Sequence, residues 1–383
     1  METIIGIIIG LILLVALVVL HELGHAIVAR RNGVVVEEFG IGFPPKAWGK
    51  KLKNGIELTL NWLPLGGFVR MQGEHDAASK PGDYGAASFW QKTRILLAGV
   101  AINWLTAAIL FSVLALFGLP KLLPNQVVLP FDNRIETAPM RVAGVVDNSP
   151  AERAGLTLGS EVLEIDGQPV NSPEKFIRAV KNSSDDTVRV TYQAEGVEQK
   201  SVNVQIEANP ENGAPYVGVV LQPQREYIYS TYSAPLVGLA TTGQLTIETV
   251  KGIGVMIGNL ASGLVGKLSP DESVKTQADE KLDSVANSVA GPVGILGTLF
   301  PSVREAGLRE LAAFTALISL TLAVMNTLPI PALDGGRWFT MAAFKVARKP
   351  LTKDREEIIQ TVGFFALFGL IILVTIGDIG RLL

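Results

Sequence analysis

The chain has no cysteine and only three histidines among its 383 residues. The first absence excludes disulfides, thiolate metal ligands and a cysteine nucleophile, but leaves the compartment open. Charge is also scarce: 18% of residues are charged and 48% are hydrophobic. The mean hydropathy of +0.35 is too high for an ordinary soluble protein. A net charge of −3 gives no reason to expect nucleic acid as a partner.

The apolar residues are gathered into runs. Ile4–Ile27, Ile95–Leu119, Leu311–Pro329 and Ile359–Ile379 approach or exceed the about 20 residues that span a bilayer. The first opens with Glu2 rather than basic residues, and no small-residue cleavage site precedes its histidines. A retained helix is therefore expected rather than a cleaved signal peptide. Arg30, Arg31, Lys46, Lys50, Lys51, Lys53, Lys92 and Arg94 lie between the first two runs. Arg337, Lys345, Arg348, Lys349, Lys353 and Arg355 lie between the last two. The positive-inside rule makes both basic stretches cytoplasmic, with the termini and the long middle region outside. Ser233–Leu268 carries Glu248 and Lys251 near its centre. It is expected as an amphipathic helix along the outer interface or against the bundle, followed by a solvated linker over Ser269–Asn287.

Two of the three histidines stand at the end of the first run, in "VVLHELGHAIVARRNG". On a helix, His21 and His25 project from the same face one turn apart, so both imidazoles reach one metal ion. Glu22 is placed to act on a metal-bound water instead. This HExxH pattern joins a Lewis acid to a base, the chemistry of zinc peptidases. The plainer alternative, ionisable residues capping a membrane helix, is disfavoured because such groups are costly in lipid and normally serve a purpose.

A catalytic zinc takes three protein ligands and a water. The third histidine, His75, lies in a polar loop, which leaves a carboxylate as the expected third ligand. Asp334 in "NTLPIPALDGGR" falls at the cytoplasmic end of the third run, at a depth matching His21 and His25. Asp-Gly pairs are more often turns, but the shared depth favours a ligand here. Pro329 and Pro331 each remove a backbone donor, and irregular backbone at membrane depth is tolerated where it lines a cavity. Asn326 is a candidate for binding substrate backbone, with helix packing as the alternative.

Together these residues resemble the site-2 protease family of intramembrane zinc metalloproteases. The likeness rests on "HELGH" (His21–His25) and "NTLPIPALDGG" (Asn326–Gly336), in the family's order. "FGIGFPPKAWGKK" and "IELTLNWLPLGGFVRMQGE" are similar to its re-entrant β-structure. "AGVAINWLTA" (Ala98–Ala107) resembles its second-helix pattern with Asn103 retained and Val100 in place of proline. "AGPVG" (Ala290–Gly294) matches the segment ahead of the third helix. The resemblance implies that His21, His25 and Asp334 bind Zn2+, that Glu22 activates water and that Asn326 helps hold substrate, with Pro329 and Pro331 as further substrate-binding candidates from their broken backbone. It is nearest to the regulator-of-sigma-E protease branch, with one difference. "AGVVDNSPAERAGLTLGSEVLEIDGQPVNSPEKF" (Ala143–Phe176), followed by strand residues over Thr187–Ala208, reads as a single PDZ domain where that branch often has two.

The expected fold is thus a polytopic α-helical membrane protein with about four transmembrane helices, a re-entrant β-structure and one extracytoplasmic α+β PDZ domain. Its divisions are residues 1–30 (first helix with HExxH), 31–93 (membrane-associated β-hairpin region and cytoplasmic loop), 94–120 (second helix), 125–225 (PDZ), 226–308 (amphipathic helix and linker) and 309–383 (third and fourth helices with LDG). The strand patches VVVEEF, IELTLNW and GFVRM could present an unwound substrate by edge pairing, or form a hairpin with no substrate role. Expected partners are the bilayer and single-pass membrane proteins already trimmed by another protease. Two other functions compete with this one: a non-catalytic PDZ scaffold or chaperone with structural zinc would not need Glu22, and a metal transporter would need more than one ligand cluster.

Overall fold

The computed structural model describes residues 2–194, 198–209 and 213–382. Residues 195–197, inside the Thr187–Ala208 strand region, lie outside that set. The chain divides into two compact units: Met1–Leu114 with Pro235–Leu383, and Ala115–Ala234.

In the first unit, helix α1 (Glu2–Arg31) is apolar from Ile4 to Leu20, and Arg30 and Arg31 in its last turn complement the helix dipole. It leads into strands β1 (Val36–Lys51) and β2 (Glu57–Met71). Both fold back on themselves. Glu38–Ile41 pairs with residues 57–60 on one side and 67–70 on the other, while Lys46–Lys51 pairs with 57–61. The sheet therefore runs 46–51, 57–61, 38–41, 67–70, and the "GGFVR" run forms an edge. Ala26, Ala29, Val36, Val69, Tyr84 and Ile95 pack into one buried cluster that joins the end of α1 to the sheet and to α2 (Phe89–Phe117).

The second unit holds a six-stranded antiparallel sheet in the order 219–222, 141–145, 161–165, 187–193, 200–205, with Gln168–Pro169 pairing on 161–165. Two short helices pack with it, α3 (Pro150–Arg153) capped by Ser149 and α4 (Pro173–Asn182) capped by Ser172. Asp166 and Gly167, both at positive φ, make a tight turn at "IDG". Met140, Val142, Val162, Phe176, Val188 and Val190 form its core. At the end of this unit, the Asp132 carboxylate accepts hydrogen bonds from the backbone N–H and hydroxyl of both Thr231 and Ser233.

The chain then forms α5 (Ala234–Lys267). It packs antiparallel to α2: Gly238 lies against Ser112, and Thr246 accepts a hydrogen bond from Trp104 Nε1 at 3.1 Å. Five helices among the described residues are long and apolar enough to cross a membrane, against the four expected. The addition is α5, with a mean hydropathy of 1.2 against 3.3 for α1. Its length supplies an apolar stretch despite the exposed Lys251–Glu248 pair.

Ser269–Asn287, expected as a linker, is instead largely helical as α6 (Glu272–Ser288). Asp271 caps it by accepting from the Ser273 N–H, and Ala278 and Leu282 pack against Gly266 and Gly263 of α5. Polarity concealed a helix whose apolar residues needed only a narrow seam. The chain continues through α7 (Pro292–Gly294), a π-helical turn at Ile295–Leu299 and α8 (Phe300–Ala306). Phe300 and Pro301 of α8 lie against Gly10 and Gly6 of α1, so the chain has returned to the N-terminal end of α1. Three helices complete the unit: α9 (Leu308–Met325), α10 (Asp334–Val346) and α11 (Lys353–Leu382).

Candidate zinc site

Helix α1 carries His21 and His25 on one face, as their spacing requires, and the fold brings Asp334 to them from the first residue of α10. Asp334 Oδ2 lies 3.0 Å from His21 Nε2 and 3.2 Å from His25 Nε2, and the two imidazole nitrogens are 3.1 Å apart. His21, His25 and Asp334 form the one cluster of this composition among the described residues. Two nitrogens and a carboxylate oxygen are a donor set suited to zinc. A tetrahedral ion with bonds of about 2.0–2.1 Å separates its ligand atoms by roughly 3.3 Å, so these three atoms already sit near the corners of one face.

Second contacts orient the rings. His25 Nδ1–H donates to the Ile95 carbonyl of α2 at 2.8 Å, which leaves Nε2 with a free lone pair. Asn103, a turn further than Gly99 on α2, lies 3.4 Å from His21 Nδ1. Between them, Gly99 permits contact with both rings: a Cβ there would stand 2.5 Å from His25 Nε2 and 2.7 Å from His21 Nε2. Glu22 is half-buried and does not join the three-atom cluster. Its side chain passes Gly67 of the sheet edge, whose missing Cβ would lie 3.6 Å from Glu22 Cγ.

The "NTLPIPALDGG" segment is a tight non-helical link. Helix α9 ends at Met325, short of the expected Pro329, and the Asn326 carbonyl accepts the Gly335 N–H at 2.7 Å. Asn326 Nδ2 is turned back to the Leu322 carbonyl at 3.0 Å. Pro329 is exposed, whereas Pro331 packs against Gly363 of α11. The three residues expected to hold substrate are therefore close in the chain but differ in surroundings.

Sequence reasoning missed the support behind Asp334. Three residues on, Arg337 is 3.2 Å from both Glu74 and Glu356 and stacks over Tyr84 with its guanidinium carbon 4.5 Å from the ring centre. Burial pushes the Tyr84 phenol above its ordinary pKa. A cavity of about 560 Å³ beside Asp334 is lined by His75, Arg337, Glu356, Glu357, Gln360 and Thr361. His75, set aside as a ligand, lies 3.9 Å from Glu357. No periodicity marked Arg337 out, because its partners come from distant segments. Gly99 was more accessible, since Ile95, Gly99 and Asn103 recur at four-residue steps.

The model of peptidase family M50 matches residues 9–370. The chain belongs to peptidase family M50. It is similar to a Clostridium perfringens protein named as a zinc metalloprotease, at 33% identity over 97% of this chain and 98% of the relative. The zinc metalloprotease RasP of Geobacillus kaustophilus is 26% identical over 99% of both chains. The regulator of sigma E protease of Haemophilus influenzae is 25% identical over 97% of this chain and 98% of the other. A solved PDZ domain of an SdrC-like protein from Listeria innocua aligns at 29% identity with 22% of this chain and 94% of that domain, with a TM-score of 0.20. The M50 chain is accordingly a zinc metalloprotease of the site-2 protease kind and an integral membrane protein.

Proposed function

We propose that this M50 protease hydrolyses peptide bonds within the membrane-spanning segments of single-pass proteins, with His21, His25 and Asp334 as zinc ligands and Glu22 as the base. The observation that carries the reading is the meeting of the three ligand atoms with Glu22 beside the sheet edge. When bound, zinc supplies Lewis acidity that makes water nucleophilic near neutral pH. Glu22 takes the proton as water adds to the scissile carbonyl, and delivers it to the amide nitrogen as the C–N bond breaks. The residue 67–70 edge has backbone groups free to pair with an unwound substrate and hold it alongside Glu22. Asn326 and Pro329 would help hold the substrate strand, with Pro331 bracing their turn against α11.

The plasma (inner) membrane suits this arrangement, with the zinc site near the cytoplasmic face and the PDZ-like unit outside. The path of the chain supports that topology. It leaves beside the C-terminal end of α2 and returns beside the N-terminal end of α1, so α5 and α6 make no net crossing. Four net spans then keep the two basic stretches on one side. An outside PDZ unit would admit substrates whose external part has already been shortened by another protease. Anti-sigma factors and signal-peptide remnants fit that description.

The test is cleavage of a tagged single-pass substrate with helix-breaking residues in its span, in detergent with zinc. The intact chain should yield product, and Glu22→Gln should yield none while retaining zinc. Equal processing by both proteins would sink the assignment of Glu22.

A further inference from the structure

One face of α2 holds both metal-facing imidazoles. Ile95, Gly99 and Asn103 succeed one another at four-residue intervals and so lie along one side of the helix. Ile95 offers its carbonyl to His25, and Gly99 leaves room for both rings. Asn103 completes the row against His21. It is only 1% exposed, and its backbone carbonyl accepts the Ser319 hydroxyl of α9 at 2.8 Å, which anchors it between helices.

The Asn103 carboxamide is half satisfied. Its Nδ2 faces His21 Nδ1, while its buried Oδ1 has no partner among the described residues. In that orientation Nδ1 must accept, so a neutral imidazole carries its proton on Nε2, pointing at Asp334 Oδ2. That proton blocks the lone pair a metal needs. A half-turn of the carboxamide exchanges two groups of nearly equal size. Oδ1 then gains a donor in His21 Nδ1–H, and Nε2 is left bare toward Asp334 and His25.

We propose that Asn103 is a positioning residue of the zinc site: its Oδ1 accepts the His21 Nδ1–H when zinc is bound, selecting the tautomer that presents Nε2. The inference rests on His21 being a ligand, as proposed above.

The experiment uses the full chain in detergent micelles. Zinc affinity is measured by competition with a chromophoric chelator for the parent, Asn103→Leu, Asn103→Asp and His21→Ala. Removal of such an outer contact typically weakens metal binding about 10–100-fold, and that loss is expected for Asn103→Leu. Asn103→Asp keeps an acceptor and should remain within about threefold of the parent. Thermal unfolding of the metal-free Leu variant should match the parent, which separates the effect from folding. With only three histidines to resolve, 15N-histidine labelling of the zinc-loaded parent reads the tautomer directly. A protonated Nδ1 on His21 is expected. An unprotonated Nδ1, or parental zinc affinity in Asn103→Leu, overturns the inference, and the spectrum decides alone if the Leu variant does not fold. Parental zinc affinity in His21→Ala would instead overturn the ligand assignment itself.

Discussion

Asp334 Oδ2 lies 3.0 Å from His21 Nε2, although 313 residues separate them in the chain. The contact joins the first apolar helix to the turn after α9, and it makes the zinc site a measure of correct helix assembly. Asp334→Ala should abolish stoichiometric zinc binding and proteolysis together, because only two of the three proposed ligands would remain. Chelation of the intact chain should remove activity, and added zinc should restore it. Metal content by elemental analysis checks both.

Glu22→Gln tests the base separately from the metal. General-base catalysis contributes about 10²–10⁴-fold in rate, and a loss of that size is expected with zinc content unchanged. A variant that loses zinc in parallel would assign Glu22 to the ligand shell instead.

Gly99→Val tests close approach. Its side chain would occupy space now taken by both imidazoles, so zinc affinity and activity should fall together. Substitution of Gly243, which has no neighbour near its missing Cβ, should leave zinc affinity at the parental value. Chelator competition on both variants supplies the comparison.

Arg337→Ala would leave Glu356 buried without its cation. Breaking a buried pair in this way costs about 3–5 kcal/mol, so unfolding in detergent should shift by that amount. Arg337→Leu/Glu356→Leu should recover part of the loss.

Asp132 tests pH dependence. Hydrogen bonds from Ser233 and Thr231 hold its carboxyl at a pKa of about 2, below the ordinary value. A depressed carboxyl pKa stabilises the folded form above the unfolded value of roughly 4, and that contribution is lost as pH falls through about 2. The Thr231 and Ser233 amides should therefore lose hydrogen-exchange protection between pH 4 and pH 2. In Asp132→Asn the protection should be lower at pH 4 and nearly flat with pH.

Local chemistry was legible in the sequence where a regular repeat carried it. The four-residue spacing of His21 and His25 predicts a shared helix face, and that face is present. The polar composition of Ser269–Asn287 predicts a solvated linker. The structure resolves it as α6 because α5 supplies a seam of glycines to pack against. Arg337 and Glu74 carried no such signal, since their pairing depends on a loop crossing to α10.

What the sequence determined by itself is the donor chemistry: two imidazoles one turn apart, an adjacent carboxylate, and an aspartate at matching depth in the apolar profile. Tertiary structure decided which atoms meet and what holds them. Ile95, Gly99 and Asn103 act on His21 and His25 only because α2 crosses α1 at that level, and the 67–70 edge reaches Glu22 only because β1 and β2 fold back on themselves. Periodicity is a property of neighbours along the chain, whereas a hydrogen bond or a steric fit between distant segments is settled by the packing of whole helices.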